Sequence, residues 1–266
     1  MKTKLGSTAL LEKPKKTILP KTMKLGKRPA RHDPRTLQLA KYTTAALQPA
    51  PASVDWSYLV SNWGMYMNDT LGDCTIAAAA HMIELWTADA GNPVVPNQQD
   101  ILSAYEAVSG YNPATGQNAD AGADCLTVMR YWQNVGIGAD KTSAYAAIEL
   151  GNFEQFSQAI ALFGGCYIGI RLPMSAQGQP YWAVPPMGPV GPGAPGSWGG
   201  HAIPIVGYDP QGLTVVTWGT PLRMSWQFLQ IYCDEAFVIL DQDFLNGATT
   251  SQGFDLQTLL SDISQL

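Results

Sequence analysis

Residues 73–89, DCTIAAAAHMIELWTAD, constrain the fold more than any other stretch of the chain. Four successive alanines have high helix propensity and permit close packing. Leu71 and Gly72 supply a turn before the segment and Gly91 a stop after it. Such a helix reads as a buried central element, with Asp73 as its cap. Cys74 stands in its first turn, where free backbone N–H groups and the positive end of the helix dipole favour a thiolate over a thiol.

The rest of the chain divides into two patterns. Residues 98–109, 123–136 and 152–163 carry apolar side chains at helical spacing, so everything up to that point reads as helical. From Gly165 the pattern changes to short β-type runs at 166–172, 202–208, 213–218 and 236–240. Between the first two lies a stretch, 185–200, in which 11 of 16 residues are Gly or Pro without the triplet period of collagen, which predicts a long irregular loop. Residues 254–266 are amphipathic and read as a C-terminal helix. Helices followed by a sheet predict an α+β fold, and 266 residues, 46% of them hydrophobic, suffice for one large domain or two lobes sharing a core.

Charge is distributed unevenly. Residues 1–41 carry 12 of the 16 Lys and Arg against only Glu12 and Asp33, whereas the remainder carries four cations against 19 acids. The two parts should attract one another or seek different partners. Residues 1–50, rich in Lys, Pro and Thr and lacking any period, read as an extended basic N-terminal arm. Residues 51–266 form the domain, helical over about 54–164 and β over about 165–266. No stretch approaches the roughly 18 to 20 apolar residues of a membrane span, and the basic start is followed only by the short run 9–11. Neither a membrane span nor a signal peptide is expected, and the setting reads as cytoplasmic. The arm could attract phosphates, but it lacks interleaved aromatics and the acidic body would repel a long polyanion, so nucleic acid is not the expected partner.

Four cysteines, Cys74, Cys125, Cys166 and Cys233, show no CxxC or Cys/His spacing for zinc, and three histidines leave little room for another metal site. HEXXH, GxxxxGK[ST] and GxSxG are absent. No metal and no cofactor is expected. Cys125, Cys166 and Cys233 read as packing residues, with a bridge among them open if the protein is exported. His81 lies seven residues beyond Cys74, about 10 Å along a helix rising 1.5 Å per residue, too far to act as its base. A hydrogen-bonding role in the core suits it better. His201 directly follows the pair Gly199 and Gly200, which lets backbone or substrate approach closely.

Four short segments, 54–56 (VDW), 68–86 (NDTLGDCTIAAAAHMIELW), 200–209 (GHAIPIVGYD) and 215–219 (VVTWG), together resemble the papain-like cysteine peptidase superfamily over residues 54–241. In that family a helical lobe bearing Cys precedes a β lobe bearing His, and here the two are 127 residues apart. The resemblance implies a papain-like two-lobe fold with an antiparallel β lobe and a thiol hydrolase acting on a peptide or protein. Cys74 would be the nucleophile and His201 the general base and then acid. Asn68, six residues before the cysteine and in place of the family's usual Gln, would donate to the oxyanion. Trp218 would shield His201, and Trp198 would form a cleft wall. The family's orienting Asn, two residues before Trp218, is replaced by Val216, which cannot accept a hydrogen bond from imidazole. Thr217 or a backbone carbonyl is the available substitute, with strand alternation directing Thr217 the other way.

Two further readings follow from the arm. One is a catalytically weak or inactive papain-like structural or binding protein, anchored through residues 1–41 in a larger assembly such as a phage particle, and so virion-associated. The other treats the arm as a pro-segment lying across the acidic body, to be removed by a cut near residues 42–54.

Overall fold

All sides of the alanine-rich helix are covered. In this computed structural model, which describes residues 19–43, 47–115, 120–241 and 254–263, helix α1 (Cys74–Asp89) is buried from Cys74 through Thr87. Its alanines let neighbours approach closely, and Trp86 anchors it at the far end. The Trp86 indole stacks on Trp132 with centroids 5.8 Å apart and donates to the Phe163 carbonyl at 2.9 Å. Helices α2 (Gln98–Ser109) and α3 (Cys125–Asn134) complete this core with Ile101, Tyr105, Val128, Met129 and Trp132. Both start on side-chain caps: Asn97 accepts from Asp100 N–H and Asp124 from Thr127 N–H. Gly110, at φ 75°, ends α2 in the left-handed conformation that suits glycine.

The second half is built on a sheet of eight strands. These are β1 (Val54–Asp55), β2 (Ala144–Ala147), β3 (Cys166–Leu172), β4 (Tyr181–Trp182), β5 (Gly199–Asp209), β6 (Gly212–Thr217), β7 (Thr220–Met224) and β8 (Cys233–Leu240). Their order is β2-β8-β3-β5-β6-β7-β4, with β1 pairing β5, and every pairing is antiparallel except β4 with β7. Helices α4 (Phe153–Phe163), α5 (Trp226–Tyr232) and α6 (Leu256–Ile263) accompany it. Ile168, Ile170, Ile203, Ile205 and Val215 form its core together with Phe156, Ile160 and Phe228 from α4 and α5.

All four expected β runs are strands, and the three helical segments after α1 form within a residue or two of their expected ends. Several elements depart from expectation, among them the two-residue strands β1 and β4. Strand β2 interrupts the helical half: Ala144–Ala147 is a poor strand sequence by composition, and its ladder with β8 overrides that preference. Strand β7 and helix α5 are too short to carry a period of their own. The C-terminal helix is present over Leu256–Ile263, and residues 264–266 of that expectation lie outside the described residues. Residues 1–18 of the basic segment also lie outside them.

The described N-terminal residues lie against the body, and their cations meet its acids. Arg31 pairs with Asp124 at 3.4 Å, Lys41 with Asp262 at 2.7 Å, and Lys27 with both Asp234 and Glu235. Leu39 and Tyr42 are buried in the sheet core. Among the described residues no helix is long and apolar enough to cross a membrane.

Candidate active site

Helix α1 delivers Cys74 to the seam between the helical core and strand β5. Backbone amides of Ala202, the neighbour of His201, and of Gly26 face the Cys74 sulfur, and the side chain is 1% exposed. Burial dominates the effect of these amides and pushes the thiol up to about 12. His201 is 1% exposed, and burial, with a smaller contribution from His81, lowers it to about 3. Burial thus favours the thiol at Cys74 and the neutral imidazole at His201.

His201 is held from two sides. Its Nε2 lies 2.8 Å from Thr217 Oγ1, and its ring stacks on the Trp218 indole with centroids 4.4 Å apart and 15° between planes. Nδ1 is buried and has no hydrogen-bond partner among the described residues. The expectation that alternation turns Thr217 away is corrected by the register of β5 and β6. Ile205 pairs with Val215, so Thr217 shares a face with Ile203 and His201, whereas Val216 packs with Val206, Trp63 and Leu85 on the other face. A hydroxyl both donates and accepts, so it fixes the ring's position without dictating its tautomer.

Trp218 owes its place to a tight turn. With Gly219 it forms the two central residues between paired Thr217 and Thr220, at φ 46° and 68°. A two-residue hairpin of this kind requires positive φ at both positions, which glycine adopts freely and tryptophan does not. The other described non-glycine residues with positive φ, Tyr66 and Met67, immediately precede Asn68, so the unfavourable backbone is concentrated around this seam. Trp198 packs on Trp218 with centroids 5.6 Å apart.

Asn68 is buried, and its amide nitrogen donates to the Leu71 carbonyl and to Asp73 Oδ1, both at 3.2 Å. Asp73 makes no capping bond to α1, contrary to expectation, because its carboxyl is turned toward Asn68. Burial raises its pKa well above the usual carboxylate range. His81 has the core role expected of it: Nε2 is 2.7 Å from the Gly64 carbonyl oxygen, the ring meets Trp63 and Tyr66, and burial lowers it to about 4. All four cysteines are free thiols.

Residues 24–28 run through the seam as an extended strand bonded to both halves. Lys24 N–H donates to the Asn68 carbonyl at 2.9 Å, and the Lys24 carbonyl accepts from Trp218 Nε1 at 3.1 Å. Lys27 N–H donates to the Gly200 carbonyl at 3.1 Å. Ala123 N–H donates to the Gly26 carbonyl and Arg28 N–H to the Ala123 carbonyl, each at 2.9 Å. The glycine pair before His201 makes room for this strand, since a Cβ on Gly200 would lie 2.2 Å from the Lys27 carbonyl oxygen.

The sequence offered a pro-segment across the acidic body without its path at residues 24–28, and the acidic pair Asp234 and Glu235 beneath Lys27 was not singled out. The available signal was two consecutive acids opening an otherwise apolar strand.

No family model matches the chain, and no curated protein matches it in sequence. In three dimensions it is similar to xylellain, a cysteine protease from Xylella fastidiosa, with a TM-score of 0.63 and 15% identity over 85% of this chain and 99% of that one. It is similar to proCathepsin B S9 from Trypanosoma congolense, with a TM-score of 0.55 and 14% identity over 82% of this chain and 87% of that one. It is also similar to the digestive procathepsin L 3 of the Tenebrio molitor larval midgut, at 0.52 and 14% over 77% and 76%. At these identities the likeness is one of backbone architecture: a helical half packed against a largely antiparallel sheet, which is the papain-like cysteine protease fold.

Proposed function

We propose that the chain is a papain-like thiol hydrolase acting on peptides, kept closed by residues 24–28 of its own N-terminal segment. The observation that carries this reading is the extended strand over Cys74. Its backbone hydrogen bonds to Asn68, Trp218, Gly200 and Ala123 are those a groove would offer any peptide laid in it. Two of the similar structures are, by their names, pro-forms. The segment presents the Gly26 amide rather than a carbonyl carbon to the sulfur, so it occupies the groove without offering a bond to attack.

With the groove vacated, the thiol and imidazole regain ordinary solvation. Cys74 passes its proton to His201 Nδ1 while Thr217 holds the ring through Nε2. The thiolate attacks the scissile carbonyl, and N–H groups at the start of α1 take up the negative charge on oxygen. Asn68 assists once one of its two amide protons leaves Leu71 or Asp73. His201 returns the proton to the departing amine, and water, deprotonated by the same imidazole, releases the acyl group and restores the thiol. Trp218 shields the imidazole from bulk water throughout.

The alternative, an inactive papain-like protein anchored in an assembly, draws on the five cations of residues 1–18, whereas Lys27, Arg31 and Lys41 meet acids on their own body. The two readings separate in one experiment. The full chain is incubated with a peptide pool, alone and after limited proteolysis within residues 44–53, and products are read by mass spectrometry. Peptide cleavage that appears on nicking and is absent in nicked Cys74→Ala supports the hydrolase. Equal cleavage by Cys74→Ala, or none after the segment has demonstrably left, overturns it.

A further inference from the structure

Among the described residues, Lys27 is the most deeply buried cation of the N-terminal segment, with a side chain 1% exposed. Its ammonium lies 2.9 and 3.0 Å from the two oxygens of Asp234, 3.0 Å from Glu235 Oε1 and 3.2 Å from the Arg28 carbonyl oxygen. Consecutive residues of a regular strand point to opposite faces, so two adjacent acids converging on one ammonium need a device. The device is a β-bulge. On β3, Gly169 pairs with Glu235 and Ile170 with Cys233, which leaves Asp234 as the extra residue and turns it toward the same pocket.

The pocket is shaped for an aliphatic stem with a cationic head. Its floor is Gly169, where a Cβ would lie 2.1 Å from Lys27 Cε and 2.7 Å from Glu235 Cγ, so any other residue would fill it. Cys125 and Tyr167 stand beside Glu235. Two carboxylates against one ammonium leave surplus negative charge, and the side-chain exposures of 17% for Asp234 and 7% for Glu235 leave water little part in solvating it. Burial alone would push the Lys27 ammonium down, but the surrounding acidic groups outweigh it and raise its pKa. When the segment departs, the acids lose their counter-charge. A buried ion pair adds little net stability, whereas buried carboxylates left unpaired are costly and favour the next cation to arrive.

We propose that this pocket selects a lysine or arginine side chain of the substrate, one or two residues from the scissile bond, and that Lys27 occupies it in the closed protein as a stand-in. The distance along the peptide follows from the neighbouring residue: the Gly26 amide faces the Cys74 sulfur, and adjacent Cα atoms are about 3.8 Å apart. Arginine fits as well as lysine because a guanidinium engages two carboxylates at once. The substrate half of this proposal rests on the hydrolase reading above, whereas the cation site itself does not.

The test therefore has two arms. In the first, full-chain Lys27→Ala is titrated with propylammonium, the fragment that the substitution deletes, and its thermal midpoint is followed. A rise of several degrees at millimolar amine is expected in the variant but not in wild type and not with 1-propanol. An equal response to the alcohol, or none, overturns the site. Should Lys27→Ala fail to fold, Lys27→Met, which keeps the stem and lacks the charge, takes its place with ammonium ion as the probe. In the second arm, nicked protein is offered matched peptides with Lys, Arg, Met or Leu at each of the first two positions on the acyl side. A preference of about tenfold or more for Lys and Arg at one position is expected, with the Lys to Leu ratio falling toward one in Asp234→Asn/Glu235→Gln. A ratio near one in wild type overturns the specificity. No hydrolysis of any peptide counts against the hydrolase reading, and the amine titration still decides the pocket.

Discussion

Gly26 and Gly72 meet backbone to backbone where the N-terminal segment crosses the start of α1, so closely that a Cβ on Gly26 would lie 1.6 Å from the Gly72 carbonyl oxygen. The obstacle is main chain on both sides, and no side-chain rotamer relieves it. Gly26→Ala therefore shifts the equilibrium from the closed toward the open groove while the body keeps its core. A penalty of only about 1.4 kcal/mol on the closed state already raises the open population tenfold. Alkylation of Cys74 by iodoacetamide at neutral pH, mapped by peptide mass, should be at least about tenfold faster in Gly26→Ala than in wild type. An unchanged rate would mean that the segment does not guard the sulfur.

Acid should remove the contribution of His201 to the closed state. His201 is lowered to about 3 by burial, whereas a solvated imidazole titrates near 6.5. A group whose pKa is depressed on closing contributes stability that is full above about 6.5 and is lost as pH falls toward 3, by at most about 5 kcal/mol. His81, lowered to about 4, acts with the same sign. Glu84, raised to about 7 by burial, acts with the opposite sign: its contribution is full below about 4.5 and lost as pH rises through 7. Asp73 and Glu235, also raised by burial, act with Glu84 and against the histidines. The readout is therefore a difference: between about pH 6.5 and 4 the thermal midpoint of His201→Gln should fall less steeply, or rise more steeply, than that of the wild-type full chain. Parallel profiles for the two proteins would remove His201 from the account.

Thr217 positions the imidazole rather than touching substrate, and its contribution is read in the nicked protein. Thr217→Val keeps the shape and deletes the 2.8 Å contact to Nε2, so kcat/KM should drop about tenfold with KM little changed. Thr217→Asn restores an acceptor and should recover part of the loss. The pH–rate profile separates positioning from general damage, since loss of the Nε2 partner shifts the limb that reports His201. A uniform loss at every pH with no recovery in the Asn variant would show Thr217 to be merely structural.

Much of the architecture was readable from local patterns because local chemistry decides it. The alanines of α1 and the apolar spacing within 98–109, 123–136 and 152–163 mark helices whatever surrounds them. The positions of the candidate residues in the fold were readable where they depended on residue type and order: Cys74 at a helix start, His201 after two glycines, Trp218 after a strand. They were not readable where they depended on register. Whether Thr217 or Val216 faces His201 is set by the pairing of Ile205 with Val215, and Asp234 joins Glu235 only because of a bulge opposite Ile170. Asp73 stands where a cap should be, yet Asn68 claims its carboxyl, a contact that no helix rule contains. The path of residues 24–28 is likewise a long-range outcome, foreshadowed only by the opposite charges of segment and body.

The strand that fills the groove shares a chain with it, and an inhibitor joined to its target cannot be diluted. A covalent join of modest length holds such a ligand at an effective concentration of roughly millimolar, so occupancy of the groove in the intact chain is the same at any protein concentration. A single cut in residues 44–53 changes no contact at the seam, yet it makes residues 24–28, together with the buried anchors Leu39 and Tyr42, part of a separate molecule whose occupancy falls as the solution is thinned. Release of activity then has two stages, a chemical one that severs the chain and a physical one set by the volume into which the fragment escapes.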